Sequence, residues 1–399
     1  MGLQAGERVI VRTSATLPAT LLLSLFASAL ADAPAAHYRV LHHFAGGAGD
    51  GSQPMGSLVQ SGSTVYGMTG WGGAHDNGVV FRIDADGSGF QLIHSFVSAA
   101  EGGQNPYGSL LLSGSDLYGT ASSEHTGSGG TVFRVGTDGA GFRVLRQFSG
   151  TDGMWPYGSL ILSGASFYGL NTYGGVDTGY DGNGTLYRIG ADGAGFRVLH
   201  AFAGGASDGK APHGSLLQSG SVLYGLTLWG GSANLGTLFR IDADGTDFRV
   251  LHHFVGGSSD GASPYGGALT QSGSTIYGMA RQGGPSDGGA IFSIGADGFG
   301  YRVLHFFEGG PNDGRKPYSA SLTQSGPLLY GMTSAGGTDG IVFQIRTDGT
   351  EFQVLHRFTG ADGRKPFGSL ILSGTTLYGM TMAGGSHGKG VVFALDLAP

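Results

Sequence analysis

The 399-residue chain contains no cysteine, and only 12% of its residues are charged, which is about half the usual share. Without cysteine there can be no disulfide, no thiolate zinc site, no iron–sulfur cluster and no cysteine nucleophile. A formal charge of −7 gives no attraction for phosphate backbones, so we expect no nucleic-acid partner. Apart from the N-terminal segment, no apolar stretch approaches the length of a membrane span.

Glycine, in contrast, is in large excess, at 81 of the 399 residues. Because glycine destabilises a helix interior by about 1 kcal/mol relative to alanine, this excess argues against helical bundles and coiled coils. Collagen needs glycine strictly at every third position, a period that the chain lacks. Disorder needs low hydrophobicity, whereas 40% of these residues are hydrophobic. The composition therefore favours an all-β chain with many turns.

The first 31 residues have the pattern of a secretory signal peptide. Arg8 and Arg12 give a basic start, residues 17–30 are apolar, and a small-x-small cleavage site precedes Asp32. The alternative is an uncleaved anchor, for which the apolar run is short. A secreted chain without cysteine is more typical of bacteria than of animals. We therefore expect a secreted or periplasmic bacterial protein, divided into a signal peptide (1–31), a short leader (32–37) and a single folded unit (38–399).

A sevenfold repeat fills the folded unit. A Tyr-Gly pair recurs about every 50 residues, and its tyrosines are Tyr66, Tyr118, Tyr168, Tyr224, Tyr277, Tyr330 and Tyr378. Each unit also holds a proline, a Ser-Gly pair and four short apolar segments, which in the first unit are 56–60, 64–68, 79–83 and 90–96. Four antiparallel strands in a unit of this length are typical of a β-propeller blade.

The two ends of the repeat complement each other. An isolated strand of the fourth type stands at 39–44, and the chain ends on a strand of the third type at 391–396. We therefore predict an all-β, seven-bladed propeller of four-stranded blades, with the N-terminal strand completing the last blade. The fifth and sixth units carry one additional residue between proline and Ser-Gly, which predicts a β-bulge in their innermost strands.

The repeat resembles the GloVer tandem repeat, a family of secreted bacterial repeat proteins. The matching residues are Leu-Tyr-Gly-x-Thr at 377–381, Gly-Gly at 384–385 and Gly-x-Val-Phe at 390–393, and the resemblance covers all seven units. The resemblance implies a secreted, propeller-like protein and brings no assigned reaction. Members of the family often carry a C-terminal anchoring segment, and from this sequence we expect none.

Function is expected on the face that carries the long, variable loops. These loops join the second strand to the third, and the fourth strand to the next blade, whereas the other turns are short and nearly identical. All three tryptophans lie in them. Exposed aromatic rings beside hydrogen-bonding groups bind sugar faces or peptide side chains, although the tryptophans could instead only fill gaps between loops. The predicted ligand-binding residues are Trp71, His75, Trp155, Tyr173, Tyr180, Trp229, Arg281 and Lys389.

Residues that recur in every blade are interpreted as scaffold, because a single site needs unlike groups that converge. The Tyr-Gly tyrosines belong to this class, as do two further series. The loop acids are Asp50, Glu101, Asp152, Asp208, Asp260, Asp313 and Asp362. A ring of acids could instead bind calcium. The residues of the fourth strand are His42, His94, Arg146, His200, His252, His305 and His356.

The sequence contains neither a His-Glu-x-x-His motif nor a P-loop. We therefore expect a monomeric, non-enzymatic binding or scaffold module, without cofactor or metal, that takes a glycan or a protein as its ligand. One alternative is a purely structural envelope protein. Another is a secreted lyase, lactonase or glycoside hydrolase at the channel mouth, which needs a carboxylate pair or a metal with a base. Its candidate residues are His75, Asp76, Asp177, Asp181 and His387.

Overall fold

Seven repeats of four apolar segments form seven antiparallel sheets, the blades of a β-propeller. The computed structural model describes residues 36–123, 128–175 and 182–397, together with Met1. The predicted signal peptide beyond Met1 and the candidate residue Tyr180 lie outside this part of the chain. Within it, every regular element is a β-strand, and no helix has the length and apolarity that crossing a membrane requires. The predicted fold is confirmed.

The blades are numbered in chain order, and within each blade the strands run in sequence from the first to the fourth. The first strands are Val59–Ser61, Leu111–Ser113, Ile161–Ser163, Leu217–Ser219, Thr270–Ser272, Thr323–Ser325 and Arg364–Ser373. The second strands are Thr64–Thr69, Asp116–Ala121, Ser166–Asn171, Val222–Gly230, Thr275–Ala280, Leu328–Thr333 and Thr376–Ala383. The third strands are Val79–Asp84, Thr131–Gly136, Thr185–Gly190, Thr237–Asp242, Ala290–Gly295, Ile341–Arg346 and Val391–Asp396. The fourth strands are Gln91–Ser95, Arg143–Gln147, Arg197–Ala201, Arg249–His253, Arg302–Phe306, Gln353–Arg357 and, for the seventh blade, His37–His43. Short loop strands lie at Gly51–Ser52, Trp71–Gly72, Gly209–Pro212, Gly261–Ala262, Gln282–Gly283, Gly314–Arg315 and Ala335–Gly336.

The N-terminal strand closes the ring, as predicted. It pairs antiparallel with the last strand, from His37 opposite Asp396 to His43 opposite Val391. Next to this ladder, the ring of Tyr38 stacks on His356 of blade six at a centroid distance of 3.8 Å. The Tyr38 hydroxyl also donates a hydrogen bond to the backbone oxygen of Asp362 at 2.6 Å. Residues from the start of the chain therefore complete the sheet of blade seven and also hold this blade against blade six.

The hydrophobic core consists of seven clusters, each formed between two successive blades. In one of them Phe44, at the end of the N-terminal strand, packs with Leu58 and Phe81 of blade one. The glycine of each Tyr-Gly pair makes room for the aromatic ring of the third strand, since a Cβ on Gly67 would lie 2.6 Å from the ring of Phe81. This glycine is therefore required by packing within the strand, whereas the Ser-Gly glycines are required by turns.

A bulge interrupts the pairing between the third and fourth strands of every blade. In blade seven the register shifts between Val40 and His42. The bulge predicted for the innermost strands of blades five and six is wrong, because these strands pair with their neighbours in unbroken register. The additional residue lies upstream of the strand, between the proline and the first ladder residue.

The two repeated polar series pair with each other. His42 Nε2 lies 3.1 Å from Asp50 Oδ1, and Asp50 also accepts the backbone N–H groups of Ala45 and Gly51, each at 2.7 Å. The His42 ring stacks on Phe90 of the next blade, with a centroid distance of 3.7 Å. The same contact recurs in His200–Asp208, His252–Asp260, His305–Asp313 and His356–Asp362, and Arg146–Asp152 is its counterpart in blade three. Six of the seven acids thus hold their loops to a fourth strand, as expected of scaffold residues, whereas no such contact joins Glu101 to His94 among the described residues.

Candidate functional site

The long loops of one blade are held together by short antiparallel ladders. Gly51–Ser52, in the loop that enters blade one, pairs with Trp71–Gly72 in the loop between its second and third strands. The same ladder joins Gly261–Ala262 to Gln282–Gly283 in blade five. Both types of variable loop therefore lie at the same end of the blade, and the backbone ladder holds the two loops together.

Four of the predicted ligand-binding residues line one cavity on this face. The cavity measures about 250 Å³ and lies between blades three, four and five; its wall includes Trp155, Tyr173, Trp229 and Arg281. The rings of Trp155 and Tyr173 meet edge to face at a centroid distance of 5.2 Å. We call this space the side cavity.

Arg281 brings a positive charge to the wall of the side cavity. Its guanidinium carbon lies 4.9 Å from the ring centre of Tyr318 and 5.7 Å from that of Tyr265, within the range of cation–π attraction. Its Nε is buried and has no hydrogen-bond partner among the described residues. Burial, together with the neighbouring Tyr318, raises the pKa of Tyr265, while the charge of Arg281 opposes this shift.

A second cavity, of about 300 Å³, lies where the entries to the first strands converge; Met55, Trp71 and Tyr107 form part of its wall. We call it the axial cavity. The residue that follows the proline in blades two to seven is aromatic, and successive rings lie 4.2 to 5.8 Å apart. These rings belong to Tyr107, Tyr157, His213, Tyr265, Tyr318 and Phe367. Tyr157, His213 and Tyr265 line both cavities, so the two spaces are neighbours.

Serine hydroxyls join successive blades around the axial cavity. In each contact the backbone N–H of one blade donates to the serine Oγ of the next blade, at 2.6 to 3.1 Å. Six such bonds are present in the described chain, and their acceptors are Ser57, Ser109, Ser159, Ser215, Ser321 and Ser369. The seventh would run from Ser215 N–H to position 268, where Ala268 has no hydroxyl. The ring is therefore interrupted between blades four and five, beside the side cavity.

His213 stands between the two cavities, and it is not among the residues predicted from the sequence. Its side chain is only 6% exposed, and neither ring nitrogen has a hydrogen-bond partner among the described residues. The ring stacks on Tyr157 at 5.0 Å and lies 4.3 Å from the ring of Tyr265. Burial lowers the pKa of His213 to about 4, so the imidazole is neutral at neutral pH and can offer one donor and one acceptor. The available signal was that His213 interrupts a series of tyrosines and a phenylalanine after the prolines.

The remaining candidates do not join this site. Trp71 lines the axial cavity, whereas His75 and Lys389 are exposed and line neither cavity. Among the candidates for an enzyme, Asp76 accepts a loop N–H from Gly72 at 2.8 Å, and His387 is exposed. Asp177 and Asp181, like Tyr180, lie outside the described residues. No three acidic or histidine side chains come together as metal ligands in the part of the chain that is described.

Comparison with protein families places these features in a known repeat. Residues 30–179, 176–340 and 269–399 match the Gloeobacter/Verrucomicrobia repeat. The chain belongs to this family. Membership in the Gloeobacter/Verrucomicrobia repeat family confirms the resemblance seen in the sequence. A comparison with curated proteins gives no match.

Solved structures with the same fold include two oligogalacturonate lyases. One, in complex with manganese, is 14% identical with a TM-score of 0.56, over 91% of this chain and 93% of the lyase. The other, from Vibrio parahaemolyticus, is 10% identical with a TM-score of 0.54, over 91% of this chain and 97% of the lyase. At these identities the likeness shows that this member of the Gloeobacter/Verrucomicrobia repeat family shares a propeller fold with them, and nothing about its activity.

Proposed function

We propose that this repeat propeller is a non-enzymatic binding module that takes a carbohydrate ligand in the side cavity. The observation that carries the proposal is the convergence of Trp155, Tyr173, Trp229 and Arg281 on one cavity. All four interrupt the sevenfold repeat, and a site built of unlike groups is expected to do so.

The chemistry of the wall fits a sugar. Aromatic rings offer flat apolar faces to the C–H groups of a pyranose, while Thr172, Ser263 and Gln282 add hydrogen-bonding groups to the same wall. His213 belongs to the walls of both the side cavity and the axial cavity.

Glycan-array screening followed by calorimetry tests the proposal. We expect Trp229→Ala to weaken binding of the array hit at least tenfold, as truncation of a central aromatic contact does. Alanine is tolerated at this place in the repeat, since Ala335 pairs in the equivalent loop ladder of blade six. Trp155→Asn is a second variant, because Asn105 holds the equivalent position in blade two with φ of 53°, against 57° for Trp155.

Phe299→Ala is the matched control. This ring is 78% exposed in the turn between the third and fourth strands of blade five, away from the loop face, so the variant should bind like the wild type. An array without hits, or full affinity in both tryptophan variants, would refute the proposal. Capture of a protein that depends on Trp229, with no glycan bound, would identify a protein ligand instead.

Catalysis is the second candidate function, and His213 is the observation that favours it. A neutral imidazole between two cavities can accept a proton from a bound ligand. The test is mass spectrometry of a bound glycan after incubation with the wild type and with His213→Phe. Products formed only by the wild type, with binding retained in the variant, would establish an enzyme. An unchanged glycan would leave binding as the function.

We also propose that the protein is exported and acts as a monomer without nucleic acid. The basic start, apolar run and small-x-small site within residues 1–31 support export. The expected result is a mature chain that begins at Asp32 in the medium or periplasm, measured by intact mass. Light scattering should give the mass of one chain, and a dimer mass would contradict the monomer.

A further inference from the structure

We infer that the ligand is an acidic saccharide, whose carboxylate is bound by Arg281 in the side cavity. This inference rests on the proposed function and specifies its ligand class. It depends on three properties of the cavity walls: their charge, their unpaired donors and the place where the repeat is broken.

The first property is the charge. Among the described residues that line the two cavities, Arg281 is the only side chain charged at neutral pH, and none is an aspartate or glutamate. The chain as a whole has a charge of −7, so the charge on this wall is opposite in sign to the net charge of the chain. A charge-assisted hydrogen bond from guanidinium to carboxylate is about twice as strong as a neutral one.

The second property is an excess of hydrogen-bond donors. Arg281 Nε is buried without an acceptor among the described residues, and a guanidinium has no acceptor atom of its own. The neutral ring of His213 carries one N–H donor and one acceptor nitrogen, and neither has a partner in the same part of the chain. Ser215, in the wall of the axial cavity, lacks the serine acceptor that its counterparts have, because Ala268 has no hydroxyl. These donors suit a ligand group that only accepts, and an ionised carboxylate is such a group.

The third property is the location of these donors. Arg281 lies in the loop of blade five, and His213 and Ser215 enter blade four. At the position equivalent to Arg281 the other described blades hold uncharged residues, among them Ser334 in blade six and Met382 in blade seven. The positive charge, the histidine and the interrupted serine ring thus coincide in one sector of a sevenfold ring.

The competing explanation is that Arg281 is satisfied by the rings of Tyr265 and Tyr318 and has no role in binding. Under this explanation, an acidic saccharide and its neutral counterpart bind equally well. The comparison of a uronate oligosaccharide with its own methyl ester separates the two explanations, since the ester keeps the sugar skeleton and removes the charge.

The experiment screens the full mature chain on an array of uronate and neutral oligosaccharides, and then titrates each uronate hit and its methyl ester by calorimetry. We expect the uronate to bind at least about tenfold more tightly than the ester, and rising salt to reduce this ratio. Arg281→Met, which introduces the residue type that Met382 supplies in blade seven, should lower the affinity for the uronate to that of the ester and leave the ester unchanged. Arg302→Met, on the fourth strand of blade five, is the matched control and should bind as the wild type.

Equal affinity of the wild type for acid and ester, or hits among neutral glycans only, would overturn this inference and leave the proposed function standing. An array without any hit would remove both. Full retention of the acid preference in Arg281→Met would show that another group binds the carboxylate. Should that variant not fold, the ratio of acid to ester in the wild type decides alone.

Discussion

Protonation of His213 is expected to destabilise the propeller in acid. Burial between Tyr157 and Tyr265 lowers the pKa of His213 to about 4, against about 6.5 for an exposed histidine. In this interval the unfolded chain binds a proton at His213 that the folded chain does not. The stability due to the neutral ring is therefore fully present above about pH 6.5 and is lost as the pH falls towards 4. At about 1.4 kcal/mol per pKa unit, the loss at pH 4 is about 3 kcal/mol.

The assay is urea unfolding of the wild type and of His213→Phe, from about pH 7 to about pH 4. Phe367 occupies the equivalent position in blade seven, so the ring is tolerated there. The other histidines and the carboxylates are common to both proteins, and their contributions cancel in the difference. We expect the wild type to lose about 3 kcal/mol more than the variant across this range.

His213→Tyr serves as the control, because tyrosine holds this position in blades two, three, five and six and does not titrate in acid. Its pH profile should follow that of the phenylalanine variant. If the wild type and both variants lost stability in parallel, then His213 would be solvated or paired in solution. The buried, unpaired imidazole between the two cavities would then be refuted.

Three further predictions concern the scaffold. Tyr187→Phe should stabilise the protein by about 1 kcal/mol in urea unfolding, because the buried Tyr187 hydroxyl has no partner among the described residues and six other blades have phenylalanine there; a loss of stability would reveal a partner. Tyr38→Ala should cost about 3 kcal/mol, since it removes the stack on His356 and the hydrogen bond that close the ring, whereas Tyr38→Phe should cost only about 1 kcal/mol. Asp260→Asn should cost about 2 kcal/mol: burial opposes ionisation, but hydrogen bonds from His252, Tyr301 and the backbone hold the pKa of Asp260 below its usual value, so the wild-type advantage should disappear below about pH 4.

The architecture could be predicted because it depends on the number of repeats and on the number of strand segments in each repeat. Strand number, blade number and ring closure follow from a repeat whose first strand lacks a blade and whose last blade lacks a strand. The bulge beside His42 could not be predicted, since it shifts the backbone pairing while the spacing of Val40, His42 and Phe44 stays that of a regular strand. At this position the residue types are the same whether the backbone pairing is regular or shifted, so the sequence does not indicate the bulge.

The candidate site was predictable only in part, because the rarity of a residue does not show where its side chain points. Trp155, Tyr173, Trp229 and Arg281 stand out because they interrupt the loops, and the fold brings them to one cavity. His75 and Lys389 are equally unusual in the sequence, but both side chains are exposed to solvent and line neither cavity. His213 escapes prediction because it occupies a repeated position, although the residue that follows each proline is where the blades converge.

Closure by the N-terminal strand also imposes an order on folding. Among the strands, His37–His43 emerges first during synthesis and its partner Val391–Asp396 emerges last, so the seventh blade cannot form until the last strand is available. Loop-closure entropy makes such a contact slow to form. A circular permutant that moves residues 36–44 behind residue 396 would turn the most distant pairing in the molecule into a local hairpin. It should refold faster than the natural order of blades, with the same final ring.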